Sequence, residues 1–248
     1  MVRKDRKMIK EMGSMQFKTP LTRKKLSDHL TYHGWKYIVL LAGAILGWNL
    51  IYAQTAYRVP QEKRIDVYIK CATTSQAVAD AFLEKIWKES VPEMELVSST
   101  LMAATNDYSS EMQMSVWIAA GEGDIYIIPS ADFKSYASAG AFLDLQPFAD
   151  DGTLPVEGVD LSAGKVCAAV GSDAQGNTVY DEELRLYGIP LDSYYGYMEG
   201  MSLDNRGLVM CVLAANHNDA NVLPFMGALL RAGEGEPPSW LLENGAEQ

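Results

Sequence analysis

The sequence predicts an α/β protein: one transmembrane helix followed by a single three-layer lobe of alternating strands and helices. Three observations lead there. Residues 37–57 form an apolar run with no charged side chain, near the roughly 20 residues that cross a bilayer as a helix. Beyond it, short β-rich segments alternate with stretches of helical period, the pattern of parallel strands joined by helical crossovers. Charge is also split. Of 21 Lys/Arg and 32 Asp/Glu, residues 1–36 hold 10 and 3, which leaves 11 and 29 for the rest.

The basic start and the apolar run explain each other. Basic residues flanking a spanning helix stay on the cytoplasmic side, so 1–36 reads as a cytoplasmic tail and 37–57 as an uncleaved signal anchor in the cell membrane. About 36 residues precede the apolar run, too many for the short charged region of a cleaved signal peptide. Trp35 and Tyr37 at one end, and Trp48, Tyr52 and Tyr57 toward the other, resemble interfacial aromatic belts. Gly43 and Gly47 make a GxxxG pair through which two copies of the helix could approach closely. His29 and His33 lie four apart beside the span, too few ligands for a structural zinc site.

A polar linker, 58–63, leads to the outer domain, 64–231, and a Gly, Glu and Pro rich tail follows over 232–248. Residues 65–72 (IDVYIKCA) read as the first strand. Thr73 and Gln76 have capping-box spacing for the helix after it. In that helix Ala79, Phe82, Leu83, Ile86 and Trp87 recur on one stripe, and Pro92 ends it. Residues 95–99 read as a second strand, 108–120 as a second helix ended by Gly121, 124–128 as a third strand and 131–139 as a third helix. A β-α-β-α-β-α unit with parallel pairing is expected.

From about 147 to 183 Gly, Asp and turn signals dominate, with a hairpin expected around 174–177. Asp173 and Gly176 have the wrong spacing for a calcium loop, so a solvated turn is expected there. A final strand over 208–215 runs into Asn216, His217, Asn218 and Asp219, any of which can cap a helix over 220–231.

Little in the chain speaks for catalysis. It has no GxSxG elbow, HExxH or phosphate loop, so no catalytic residue, metal ligand or cofactor is expected. The acidic outer domain lacks the clustered Lys and Arg that nucleic acid demands. Cys71, Cys167 and Cys211 are odd in number and widely spaced, and each lies in an apolar run, which suggests small buried side chains rather than disulfides.

Residues 123–148, GDIYIIPSADFKSYASAGAFLDLQPF, resemble the first lobe of extracellular solute-binding proteins of ABC importers, the sugar-binding type in particular. Leu143, Leu145 and Pro147 stand where that family ends the helix after a cleft-lining strand. The segment LYGIPLDSYYGY, 186–197, is similar to the family's Tyr-Gly-Ile-Pro approach to the hinge. VLAANHNDANVLPFMGALL, 212–230, resembles the strand and helix that complete the lobe. The resemblance implies lobe I of a type II periplasmic binding protein and a non-catalytic module that takes a small solute or carbohydrate. Such receptors carry two lobes, and the chain between Tyr197 and Gly207 is too short to build a second. A reduced, single-lobe relative would hold its solute weakly on an open face, or use that face on a membrane transporter, sensor or envelope partner.

In parallel sheets ligands sit beyond the carboxyl ends of the strands, where helix N-termini point free N–H groups. The expected ligand residues are therefore Thr74 and Ser75 after the first strand, and Ser130 and Asp132 after the third. The hinge-side resemblance adds Asp192, Tyr194 and Tyr195. A plainer role stays open for these positions: Thr73 and Ser130 capping helices, and the tyrosines packing against the lobe.

Overall fold

The computed structural model describes residues 23–104, 108–172, 175, 178–216 and 219–237. The basic stretch 1–22, the turn residues Asp173 and Gly176, the capping candidates His217 and Asn218, and the end of the tail lie outside them. The chain divides into two compact units, Met1–Arg58 and Val59–Gln248.

The first unit contains one helix, α1 (Arg23–Thr55). Its portion Thr31–Thr55 is the one stretch among the described residues long and apolar enough to cross a membrane. Leu40, Leu46 and Trp48 are exposed there, and nothing packs against Gly43 or Gly47. Thr31 and Thr55 return their hydroxyls to the carbonyls of Ser27 and Ile51, which satisfies them within the helix.

The second unit is a mixed α/β domain. Its strands are β1 (Arg64–Cys71), β2 (Leu96–Ala103), β3 (Ile125–Pro129), β8 (Gly188–Pro190) and β9 (Leu208–Val212), ordered β2-β1-β3-β9-β8 in one sheet. Strands β1, β2 and β3 pair in parallel, as strands joined by helices must. Strand β9 runs antiparallel to both β3 and β8. The parallel pairing expected of the first three strands holds, the last strand runs the other way, and β8 lies within a segment expected only as a hinge approach. The reason is connectivity: β9 enters from β8 over the carboxyl end of the sheet, not by a crossover from β3.

Alternation along each strand sorts the core into two layers. Ile65, Val67 and Ile69 face α2 (Gln76–Ser90), α6 (Gly196–Met201) and α7 (Asp219–Gly233). Tyr68, Tyr126 and Ile128 face α3 (Tyr108–Ala120) and α4 (Ser130–Ser138). In α2 the expected stripe buries Ala79, Leu83 and Ile86, while Phe82 and Trp87 pack at its margin. Helix α2 stops at Ser90 because Val91 precedes Pro92 and leaves the helical region at φ −136°, ψ 61°.

Between α4 and β8 the chain forms α5 (Gln146–Asp150) and two small hairpins. Strand β4 (Lys165–Val166) pairs with β7 (Arg185–Leu186), and β5 (Ala169–Ser172) with β6 (Thr178–Tyr180), flanking the expected turn. Cys211 is buried, whereas Cys71 and Cys167 are partly exposed, so the buried reading holds for one cysteine of three.

Candidate functional site

Helix α2 connects β1 to β2 on one face of the sheet and α3 connects β2 to β3 on the other, so the connections diverge between β1 and β3. Such a switch point leaves a crevice outside the carboxyl ends of the two strands. Lys70, next to last in β1, stands there with its side chain 1% exposed. Its ammonium donates to Glu111 Oε1 in the first turn of α3 at 2.6 Å and to Asp132 Oδ2 in the first turn of α4 at 2.8 Å.

Two carboxylates at helix N-termini are favoured by the helix dipoles, and the buried lysine supplies the countercharge. Burial works against the Lys70 charge. The hydrogen bonds and charges of Asp132, then Glu111, more than offset it, and the ammonium's pKa stands above the ordinary lysine range. Tyr136, one turn after Asp132, has its phenol pKa raised, first by burial and then by Glu111 and Asp132. Among the described residues the carboxylates of Glu111 and Asp132 have no hydrogen bond other than these to Lys70. Their second oxygens are left to accept from a hydroxyl or amide.

The turn from α6 into β9 is tied to the residues that follow β1 and β3. Ser202 ends α6 in the left-handed region at φ 55°, a costly conformation for a residue with a Cβ, and turns the chain across the strand ends. Gly207, at φ 66°, brings it down onto β9. Asp192 Oδ1 accepts from the Gly207 N–H at 2.9 Å, and the Gly207 carbonyl accepts from the Ser130 N–H at 2.9 Å. Thr74 donates to the Met201 carbonyl, and Thr73 Oγ1 accepts from the Asp204 N–H at 3.0 Å. A depression of about 220 Å³, lined by Thr73, Ser202, Asp204 and Arg206 among others, opens beside this turn.

Ser130 and Asp192 are thus joined through the Gly207 backbone, Thr74 is tied to the same turn, and the Asp132 carboxylate pairs with Lys70 instead. Three expectations change. The N-cap of α2 is Ser75, exposed and without a side-chain cap bond, so the Thr73 and Gln76 capping box does not form. Gln76 instead donates to Ser99 and Asp80. Tyr194 is 2% exposed and its hydroxyl donates to the Pro155 carbonyl at 3.0 Å, so the ring packs against the lobe. Burial pushes that phenol up to about 12. Tyr195 is the half-buried N-cap of α6.

Lys70 and Glu111 are the residues that sequence reasoning missed. The signal was a lone lysine inside an apolar strand, in register with Asp66 and Tyr68 on one face. Among the described residues no group of three His, Cys, Asp or Glu is placed to hold a metal.

No protein-family model matches the chain, and no curated protein is significantly similar to it. Solved structures do align with part of it. An extracellular solute-binding protein family 1 member from Alicyclobacillus acidocaldarius is 18% identical at a TM-score of 0.37, over 54% of this chain and 28% of that one. An N-glycan transport solute-binding protein from Streptococcus pneumoniae is 19% identical at a TM-score of 0.36, over 53% and 26%. The same protein in complex with Man5GlcNAc aligns at 21% identity and a TM-score of 0.34 over 51% and 24%. The chain spans about a quarter of the length of these structures. At such scores the functional reading rests on the site itself.

Proposed function

We propose that the chain is a membrane-tethered, non-catalytic binding module whose single lobe offers the Lys70, Glu111 and Asp132 crevice to a hydroxyl-rich solute such as a glycan. The observation that carries this reading is the buried ammonium clamped by two carboxylates at the switch point. A charge that serves only stability is rarely kept inside a strand, because apolar residues fill such a position at lower desolvation cost. Here each carboxylate keeps an oxygen for a ligand hydroxyl, and the resemblance of 123–148, 186–197 and 212–230 to sugar-binding receptors points to the same chemistry. With one lobe, no partner surface closes over the solute, so binding is weak. Helix α1 is the anchor, with 1–36 cytoplasmic and the lobe outside. The bare Gly43 and Gly47 offer α1 a seat for a second copy.

The test is thermal unfolding of the full chain in detergent against oligosaccharides, peptides and amino acids, because a ligand for the native state raises stability by mass action. An oligosaccharide at millimolar concentration should raise the midpoint, and Asp132→Asn should remove the response. No response to any sugar would sink the reading. Protease added to intact cells should remove the lobe. Digestion of the basic tail instead would reverse the orientation.

A second reading, an accessory protein that contacts a transporter, sensor or envelope partner, is favoured by one observation. Tyr108, Met112 and Val116 recur every fourth residue on α3 and are 79%, 45% and 55% exposed, an apolar stripe of the kind that marks an interface. Co-purification of one membrane protein with the full chain, lost in Met112→Glu, would select this reading.

A further inference from the structure

We propose that the outer edge of β2 is a strand-addition surface for a second copy of this chain, and that Asp80 and Gln76 of α2 hold it closed. The five-stranded sheet ends at β8 on one side and at β2 on the other. The chain itself covers the β8 side. The Tyr187 N–H, just before that strand, donates to the Gly164 carbonyl at 3.0 Å, and a Cβ on Gly164 would collide with the Gly188 carbonyl. Among the described residues no backbone covers β2 in the same way.

Two side chains stand there instead. The Ser99 N–H donates to Asp80 Oδ1 at 3.3 Å, and the Ser99 carbonyl accepts from Gln76 Nε2 at 2.7 Å. Both backbone groups of Ser99 are therefore turned away from β1, and by alternation those of Val97 and Leu101 are turned the same way. The Ser99 hydroxyl donates to Asp80 Oδ1 at 2.6 Å and accepts from Gln76 Nε2 at 2.7 Å. Gln76 and Asp80 are one turn apart on α2 and are themselves joined at 3.0 Å. The result is a polar clip over the middle of an edge strand.

Edge strands are ordinarily guarded by their own charges, by proline or by a bulge. Strand β2, LVSSTLMA, carries no charge and no proline, and all eight of its residues pair with β1 without a break in register. Its guard has thus been placed on the neighbouring helix. The same composition selects the occupant. A second β2 is equally uncharged, so two copies meet without like-charge repulsion. Antiparallel pairing about a two-fold axis brings the middles of the two strands together, and Ser99 is the fourth of the eight residues. Opening is reversible because Gln76 and Asp80 are both exposed and can turn to water.

Sedimentation of the full chain in detergent, with hydrogen exchange of the β2 amides, tests this. Asp80→Ala should dimerise at roughly tenfold lower concentration than wild type, and the amides of Val97, Ser99 and Leu101 should become roughly tenfold more protected. Asp80→Asn, whose amide oxygen still accepts from the Ser99 N–H, should behave as wild type. Gln76→Ala frees only the carbonyl half of the clip from an exposed position, so it should shift association the same way by less, and it decides the matter if Asp80→Ala unfolds. Val97→Pro in the Asp80→Ala chain removes an outward N–H and should restore wild-type association. Unchanged association in Asp80→Ala and Gln76→Ala would overturn the proposal. So would association that survives Val97→Pro, or Val97 and Leu101 amides already protected in wild type, which would mean an edge that is not held closed.

Discussion

Asp66 and Lys70 stand on the same face of β1, at opposite ends, with Tyr68 between them, and the two charges do different things. At the amino end Asp66 is consumed by the sheet. Its Oδ1 accepts from Ser98 on β2 and its Oδ2 pairs with Arg64, both at 2.6 Å. Its N–H donates to Asp124 Oδ2 at 2.8 Å, and its carbonyl accepts from the Asp124 N–H at 2.9 Å. That network bolts β1, β2 and the entry to β3 together and leaves nothing to offer. At the carboxyl end Lys70 reaches off the sheet to two helices, and its partners keep accepting oxygens. A charge in a strand closes the sheet where backbones converge and opens a site where connections diverge.

The largest effect that would break this comparison is the loss of Lys70. Lys70→Met leaves Glu111 and Asp132 as neighbouring carboxylates without their shared cation. Breaking a sealed pair costs about 3–5 kcal/mol. The Glu111 side chain is 39% exposed and can swing to water, so a loss of about 2–3 kcal/mol is expected. The unfolding midpoint should fall by about 4–10 °C. The pH dependence has a definite sign. With its pKa raised in the fold, Lys70 contributes fully below the ordinary lysine value of about 10.4, and the contribution is lost as pH rises through the folded value. The stability difference between wild type and Lys70→Met should therefore be flat near neutrality and shrink in strong alkali. A variant as stable as wild type would mean that the buried Lys70 ion pairs add nothing to stability.

Asp66→Ala sharpens the contrast from the other end. It strands the Ser98 hydroxyl and Arg64, and a loss of about 1–2 kcal/mol is expected, read by urea unfolding. Any oligosaccharide response should be unchanged; if it disappears, the two ends are coupled and the division drawn above is wrong.

Tyr194→Phe removes one hydroxyl that donates to a carbonyl in a covered position. The cost should be about 1 kcal/mol, with no change in solute response, because the ring lies in the core cluster with Tyr197 and Leu229. Loss of binding without loss of stability would return Tyr194 to the site.

Asp132→Asn should have the smallest effect on stability, about 0.5 kcal/mol, since the amide oxygen still accepts from Lys70 and only the charge assistance is lost. Solute binding should weaken at least tenfold, measured as the concentration that gives half the thermal shift. Equal losses in stability and binding would mean that Asp132 acts through the fold alone.

Much of the fold was legible because it is local. Period-two alternation in 65–72 and the helical stripe through Ala79, Leu83 and Ile86 determine which side of each element turns inward, and an apolar run needs no partner to announce its length. Helix α3 lies where its sequence placed it, from Tyr108 to Ala120. Ser130 and Asp132 could be named in advance as positions at the start of α4 because strand ends and helix starts are local too. Tertiary structure decided the rest. Lys70 meets partners 41 and 62 residues away, and no spacing along the chain marks such a pair. Tyr194 and Tyr195 are adjacent and identical in type, yet one fills the core and the other caps α6, a choice made by Pro155 39 residues upstream. The direction of β9 depends on the path by which the chain returns to the sheet. A strand's pattern of apolar residues is the same read in either direction, so its orientation is settled only when neighbouring backbones pair.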